Sequence, residues 1–339
     1  MLCNIFLSIK LYFFLHISEK CYNFARKIVK TQIIMKNISN LFRIIPVVLC
    51  ALWSVPCAAQ LSVQSVQQIS DAGLQPQISP AGDYVLIRDA GVAGLTRVDV
   101  TTGEKAVVVQ DANVDGEVEF SDGGTMVAYR TTSYQNQARY STIRAVNMQT
   151  GVVKALDVPA RENYAFRFAG GKMKIAKRMT VRSQRLLTDI RSVEHEYVLA
   201  VEDNDLVLYD GTKRKVLNPN GQNIYLWQRI SPDEKHIVYV AINDGCHTFV
   251  CDMNGKNIVD LGHYIGAPTW LGNDWIIGQQ DEDDGHRMTA SRLVAIHPDG
   301  TGFQVLQTPQ QTLPINPSAS SDGKVVFENN GQIYLMQLQ

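Results

Sequence analysis

The sequence is short of several features that would declare a chemistry. It has no basic surplus: its formal net charge is −1, and charged residues make up only 19% of it. A protein built to grip nucleic acid neutralises phosphates with Lys and Arg, and its charge balance shows it. No RNP-like aromatic motif and no long Lys/Arg run makes up the deficit, and the basic stretch from Lys172 to Arg185 reads as a solvated face. Gly-x-Ser-x-Gly is absent, which removes the nucleophile elbow of a peptidase or esterase domain. His195-Glu196 lacks the second histidine of a zinc-hydrolase helix, and no Gly-x-x-x-x-Gly-Lys loop is present to cradle phosphates.

Cysteine is scarce where it would matter. Cys3, Cys21, Cys50 and Cys57 fall in the first 59 residues, leaving Cys246 and Cys251 beyond them. On one strand, five residue steps separate that pair by ~16 Å. A disulfide needs Cα atoms within ~7 Å, so two free thiols are expected. The spacing is not Cys-x-x-Cys, so a redox or zinc reading is poor.

No long hydrophobic run suits a membrane span. The apolar segment Ile44 to Val55 follows Lys36 and Arg43 and precedes Cys57-Ala58-Ala59. Its length is too short for a bilayer at ~1.5 Å per helical residue. Basic residues, a short apolar core and small residues at the cleavage site make a secretory signal peptide over residues 35–59, cut before Gln60. Residues 1–34 carry no turn or strand logic and are read as an upstream extension, with translation starting at Met35. Peptides from residues 1–34 in a whole-cell digest would refute this. The expected location is periplasmic, with no transmembrane segment in the mature chain 60–339.

What the sequence does have is repetition. Ile78 to Ile87 reads ISPAGDYVLI, Phe120 to Tyr129 FSDGGTMVAY, Arg229 to Val240 RISPDEKHIVYV, and Ser320 to Phe327 SSDGKVVF. Two looser copies have turns near Ala169 and Leu271. Taking the turns at Ser79, Ser121, Ala169, Ser231, Leu271 and Ser321, successive offsets are 42, 48, 62, 40 and 50 residues. A period of ~40–50 residues marks a propeller blade or a similar unit. Each unit has a strand, a Ser-Pro-Asp-Gly-like turn, a second apolar strand, a variable loop and a third strand. A polar Asn-Gly or Asp-Gly turn and a fourth strand complete it. The sequence therefore predicts an all-β, six-bladed β-propeller of four-stranded antiparallel blades. The last unit lacks a fourth strand, and LSVQSVQQIS near Gln60 is a spare one. Placing it on the last blade closes the ring and removes an open edge. The 62-residue offset implies an insertion around Arg182 to Tyr197; if it completes a sheet, the ring has seven blades.

The turn-and-strand phrase resembles the TolB-type propeller repeat of bacterial envelope proteins. The clearest matches are Ile230 to Val240 with Asn254-Gly255, and Ser321 to Met336. The likeness spans nearly all of residues 60–339, strongly in four blades and loosely in two. Similar phrases occur in propellers of prolyl-oligopeptidase-like and oligogalacturonate-lyase-like enzymes, so the motif speaks for fold more than for function. TolB carries an α/β domain ahead of its propeller. Here about 20 residues separate Gln60 from the first turn, too few for such a domain. The resemblance implies a periplasmic propeller with a binding face and no particular partner.

The remaining candidates are geometric. His247, His263, His286 and His297, with Asp281-Glu282-Asp283-Asp284-Gly285, form a loose set, but the Pro298 turn places His297 at the other end of its blade. No metal or other cofactor is expected. In a propeller, the loops between second and third strands share one face with the blade-to-blade links. Those segments carry Tyr134, Gln135 and Arg139 (with Asn136 and Tyr140), then Tyr164 and Arg167, Tyr225 and Trp227, and His263 and Tyr264. Tyr, Trp and Arg are the residue types that dominate binding hot spots. The competing reading of Tyr164, Tyr225 and Trp227 is packing between blades. The expected function is a non-catalytic, partner-binding scaffold for an envelope or periplasmic protein. The alternative is a carbohydrate-active or metal-dependent, lyase-like enzyme using the central funnel. Such an enzyme would bring two or three titratable groups with shifted pKa values together there.

Overall fold

Serine explains why one phrase recurs. Ser79, Ser121 and Ser231 are buried at the turns. The Ser231 hydroxyl oxygen accepts the backbone N–H groups of Lys235 and His236, at 3.2 and 2.9 Å. Ser79 does the same for Asp83 and Tyr84. Each such serine closes a hairpin whose inner polar groups would otherwise lie unpaired. The structure is a computed structural model and describes residues 60–88, 94–187, 193–242, 245–309 and 313–339. The expected signal peptide and upstream extension, residues 1–59, lie outside the described residues.

The hairpins build seven sheets. β1 (Val63–Ser70) comes before the first blade. Blade one is β2 (Leu74–Ile78), β3 (Tyr84–Arg88), β4 (Leu95–Asp99) and β5 (Lys105–Val109). Blade two is β6 (Val114–Phe120), β7 (Met126–Gln135), β8 (Ala138–Asn147) and β9 (Val153–Ala155). Blade three is β10 (Asn163–Ala169), β11 (Lys172–Lys177) and β12 (Thr180–Arg185); blade four is β13 (Tyr197–Glu202), β14 (Asp205–Asp210) and β15 (Lys213–Val216). Blade five is β16 (Ile224–Ile230), β17 (His236–Ile242), β18 (Cys246–Asp252) and β19 (Val259–Asp260). Blade six is β20 (Gly266–Leu271), β21 (Trp275–Asp283), β22 (Met288–Ile296) and β23 (Gln304–Val305). Blade seven is β24 (Ile315–Ala319), β25 (Lys324–Asn329) and β26 (Gln332–Leu338), completed by β1 in antiparallel register, Val66 opposite Met336. The expected closure of the last blade by the first strand is therefore present.

The six-bladed count is corrected to seven. The long interval between Ala169 and Ser231 holds no insertion into one blade. It holds the last two strands of one three-stranded blade and the whole of a second, each blade with its own sheet. Seven apolar clusters agree, one per blade interface; Ala165, Ala176, Val198, Val207 and Tyr209 fill the one between blades three and four. The core thus lies between blades, where fully buried Tyr129, Tyr239 and Phe327 sit, each worth ~1.5–3 kcal/mol on burial.

An odd strand number has a topological consequence. Three antiparallel strands leave the chain at the end of the blade opposite to where it entered. After β12, the N–H groups of Leu186 and Leu187 reach Gly171 O, beside the end of β10. β13 starts there, because Glu196 pairs with Lys172 and with buried Lys174. It finishes beside the start of β10, where Arg178 bridges Glu162 and Asp203 at 3.5 and 3.3 Å. The inner strand β13 therefore runs antiparallel to β10. A second three-stranded blade restores the direction for β16. The basic stretch Lys172 to Arg185 is not simply a solvated face: Lys174 is buried, and Lys177 and Arg182 both hold the Asp157 carboxylate, at 2.5 and 2.6 Å.

Candidate binding face and central channel

The inner strands β6, β10, β13, β16, β20, β24 and β2 meet in that order from β6 round to β2 and enclose the channel. Six of them shift register near their start, β6 and β10 included, and the other four share a left-handed residue at the shift. In those four the shifts fall between Leu74 and Gln77, Leu226 and Arg229, Gly266 and Thr269, and Ile315 and Ser318. The extra residue in each is left-handed without being glycine: Gln75, Trp227, Ala267 and Asn316, with φ of +50°, +50°, +45° and +53°. Such bulges re-aim side chains and free backbone groups, and non-glycine residues hold this conformation only where the surroundings enforce it. At two of the four the preceding blade holds the extra residue: Glu328 accepts the Gln75 N–H at 3.0 Å, and Gln279 accepts the Asn316 N–H at 2.6 Å.

Among the described residues, two hairpins extend furthest along the chain on this face. β7–β8 and β21–β22 extend to ten and nine residues per strand. Tyr134, Gln135, Asn136 and Arg139 are exposed at the tip of the first, and Tyr134 is 69% exposed. Trp227, 44% exposed, lies at the bulge of β16, and its ring centroid is 6.3 Å from that of Tyr264. Tyr264 is half-buried, and burial pushes its hydroxyl up to about 12. His263 is exposed and stacks on Phe303 at 4.2 Å. Tyr164 is half-buried against the cluster between blades three and four.

Two of the expected face residues sit elsewhere. Tyr225 is buried, packs on Tyr239 and donates its hydroxyl to Gly221 O at 2.8 Å; it belongs to the interior. Arg167 reaches the opposite end of the channel, donating to Tyr197 O at 3.2 Å and pairing with Glu234 at 2.8 Å. The histidines do not converge. His247 faces Asp260, and His297 lies on Trp275 and meets Asp274 O. Among the described residues no group of three or more His, Cys, Asp or Glu is placed to hold a metal.

The channel wall carries a constellation absent from the expectations. Asp115, Glu117 and Glu119 lie along β6, the first two within its register shift, and shared arginines gather them. Arg130 pairs with Glu117 at 2.7 Å and approaches Asp115 at 3.7 Å, as does Arg139. Arg229, from blade five, reaches Glu119 at 3.9 Å. Burial raises all three carboxyls, and the arginines only partly offset it. Glu119 is the extreme, pushed up to about 7. The signal in the sequence is the run VDGEVEF from Val114 to Phe120; Arg130 and Arg139 answer it from the outer strands of the same blade, and Arg229 from blade five.

Comparison with known proteins bears on the fold. No family model matches the chain, and no curated protein resembles it in sequence. Solved structures do. TolB from Acinetobacter baumannii aligns at 16% identity over 72% of this chain and 56% of its own, with a TM-score of 0.50. The WD40 β-propeller domain of Doa1 aligns at 12% identity over 82% and 97%, with a TM-score of 0.56. The tricorn protease aligns at 14% identity over 78% of this chain and 25% of its own, with a TM-score of 0.53. The chain is a β-propeller structurally similar to these proteins. They include a protease, and at such identities the likeness establishes architecture alone.

Proposed function

We propose that the chain is an exported, non-catalytic propeller that docks a protein partner of the periplasm or envelope over the channel mouth, on the face of the long hairpins. The observation that carries this is Trp227. A large aromatic side chain stands half out of the surface on a backbone conformation unfavourable to it, with Tyr264 alongside and Tyr134 on the facing hairpin. Neither backbone preference nor burial accounts for that choice, whereas aromatic anchors ringed by polar groups are what binding faces use. The test is affinity capture from envelope extract, with the wild type compared with Trp227→Gly and Tyr134→Ala. Glycine suits φ of +50°, so Trp227→Gly should melt within about 1 kcal/mol of wild type. One envelope protein retained by wild type and lost by both variants supports the reading; equal capture refutes it.

A second reading is favoured by the channel. Glu117 and Glu119 lie on one strand, and burial pushes the Glu119 carboxyl up to about 7, the range that suits a general acid. Under this reading the channel acts on a glycan. Turnover of an oligosaccharide that Glu119→Gln abolishes without lowering Tm would establish it.

A further inference from the structure

A groove of about 330 Å³ opens on the hairpin face between Tyr264 of the link into blade six and the long hairpin of that blade. Gln280, Asp281, Glu282 and Arg292 form its other wall. We infer that this groove takes a lysine or arginine side chain from an extended segment of the docking partner. The inference rests on the reading of this face as a docking surface and adds the partner's chemistry. Small-ligand pockets run from ~300 to 1,000 Å³, so this volume suits one or two side chains rather than a folded surface.

The charge lies on the groove side. From Asp281 to Arg292 the hairpin has four carboxylates against two arginines. Asp284 is engaged locally, accepting the N–H groups of His286 and Arg287. Asp281 is oriented for an incoming group: Gln279 donates to one of its oxygens at 2.7 Å, and the Ser291 hydroxyl lies 2.9 Å from the other. A carboxylate so held has acceptor positions left over. The Glu282 side chain is exposed, with no ion pair or side-chain hydrogen bond among the described residues. Tyr264 lines the groove together with these carboxylates, and the Trp227 ring lies 6.3 Å from it. A cation between an aromatic face and a carboxylate gains from both. Arg292 does not fill that place, because Gln280 holds its Nε at 3.1 Å. Its remaining N–H groups are left to meet a backbone carbonyl of an extended segment. A neutral sugar would leave the Glu282 charge unanswered, and an acidic segment would meet it with repulsion.

The probe is a capped octapeptide of alternating arginine and glycine, titrated into the full-length protein by calorimetry and by tryptophan fluorescence. The same peptide with glutamate for arginine, and cellotetraose, are the comparisons. The arginine peptide should bind, the other two should not, and raising salt should weaken it. Glu282→Gln, an exposed substitution that leaves the fold intact, should weaken binding by about three- to fivefold, the upper range for an exposed ion pair. Asp281→Asn should add to that loss. Trp227→Phe should remove the fluorescence change and keep the heat. Glu104→Gln, on the outer edge of blade one, should change nothing. Equal binding of the arginine and glutamate peptides, preference for cellotetraose, or indifference to Glu282→Gln would overturn the inference. The docking reading fails separately. If Trp227→Gly loses the captured partner while the arginine peptide neither binds nor competes, the face stands and the groove inference falls. If the peptide binds as expected and no partner is captured, the reverse holds.

Discussion

Single residues decide more here than their composition suggests. Cys246 and Cys251 lie on β18 as two free thiols, one exposed and one buried. Strand geometry alone required this, since no short strand bends enough to join them. Glu119 is the opposite case, because its behaviour comes from burial that no local pattern announces. Its carboxyl shifts from 4.5 to about 7, chiefly through loss of water and only partly offset by Arg229. Between those values the unfolded chain has released the proton and the folded chain keeps it. The folded state then binds more protons, so stability should fall as pH rises from 4.5 towards 7. Asp115 and Glu117 shift in the same direction. Glu119→Gln should therefore reduce the fall in Tm between pH 5 and pH 8 without abolishing it. An unchanged slope would show that Glu119 titrates normally. The three acids were legible in the run VDGEVEF. Their meaning was not, because Arg229 lies more than a hundred positions further along the chain.

At the scale of elements, legibility follows the hairpin turns. Wherever a buried serine closes the first hairpin, the blade could be read from the sequence, as at Ser79, Ser121, Ser231 and Ser320. Blade four has no such serine. Its inner strand runs in reverse and joins the next through Asp203-Asn204, both left-handed, with φ of +51° and +71°. A search keyed to the serine turn assigns β14 and β15 to the preceding blade and miscounts the ring. Two of the bulges stayed hidden for a related reason: the side chains that hold them, Glu328 and Gln279, belong to neighbouring blades. Close packing inside blade six can be tested directly. Gly278 is the residue that lets β21 pass Ile265, because a Cβ there would stand 2.2 Å from Ile265 Cγ2 and 2.9 Å from Gly266 O. Gly278→Ala should destabilise by about 1–3 kcal/mol, as overpacking does. Ile265→Ala in the same chain should recover part of that loss, seen as coupling in a double-mutant cycle. Strict additivity would mean that the strand shifts and the clash is not with Ile265.

For the whole molecule, the question is what stops the ring from opening. Every blade but the last is built from one continuous stretch of chain, so its sheet does not hold the ring shut. In blade seven, β1 and β26 come from opposite ends of the described chain. Ser62 and Gln339 exchange backbone hydrogen bonds at 2.8 and 3.0 Å, and Gln304 reaches Leu61 O from blade six. Leu61, Val63 and Val66 pack on Val325, Phe327, Met336 and Leu338, joining blades six and seven. Deleting Leu61 to Ser70 would uncover that cluster and leave β26 as an open edge, a hazard for association. The side chains lost are only partly buried, so the cost is set at about 4 kcal/mol rather than at the full transfer value of each. For a chain of this size that is a fall in Tm of roughly 8–16 °C. A synthetic peptide of Gln60 to Ser70 should restore Tm when added in excess, since it can pair with β26 in the same register and gains its effect by mass action. It should also protect the β26 amides from hydrogen exchange. If deletion leaves Tm and exchange unchanged, the contacts between blades one and seven close the ring by themselves, and β1 is only an edge cover.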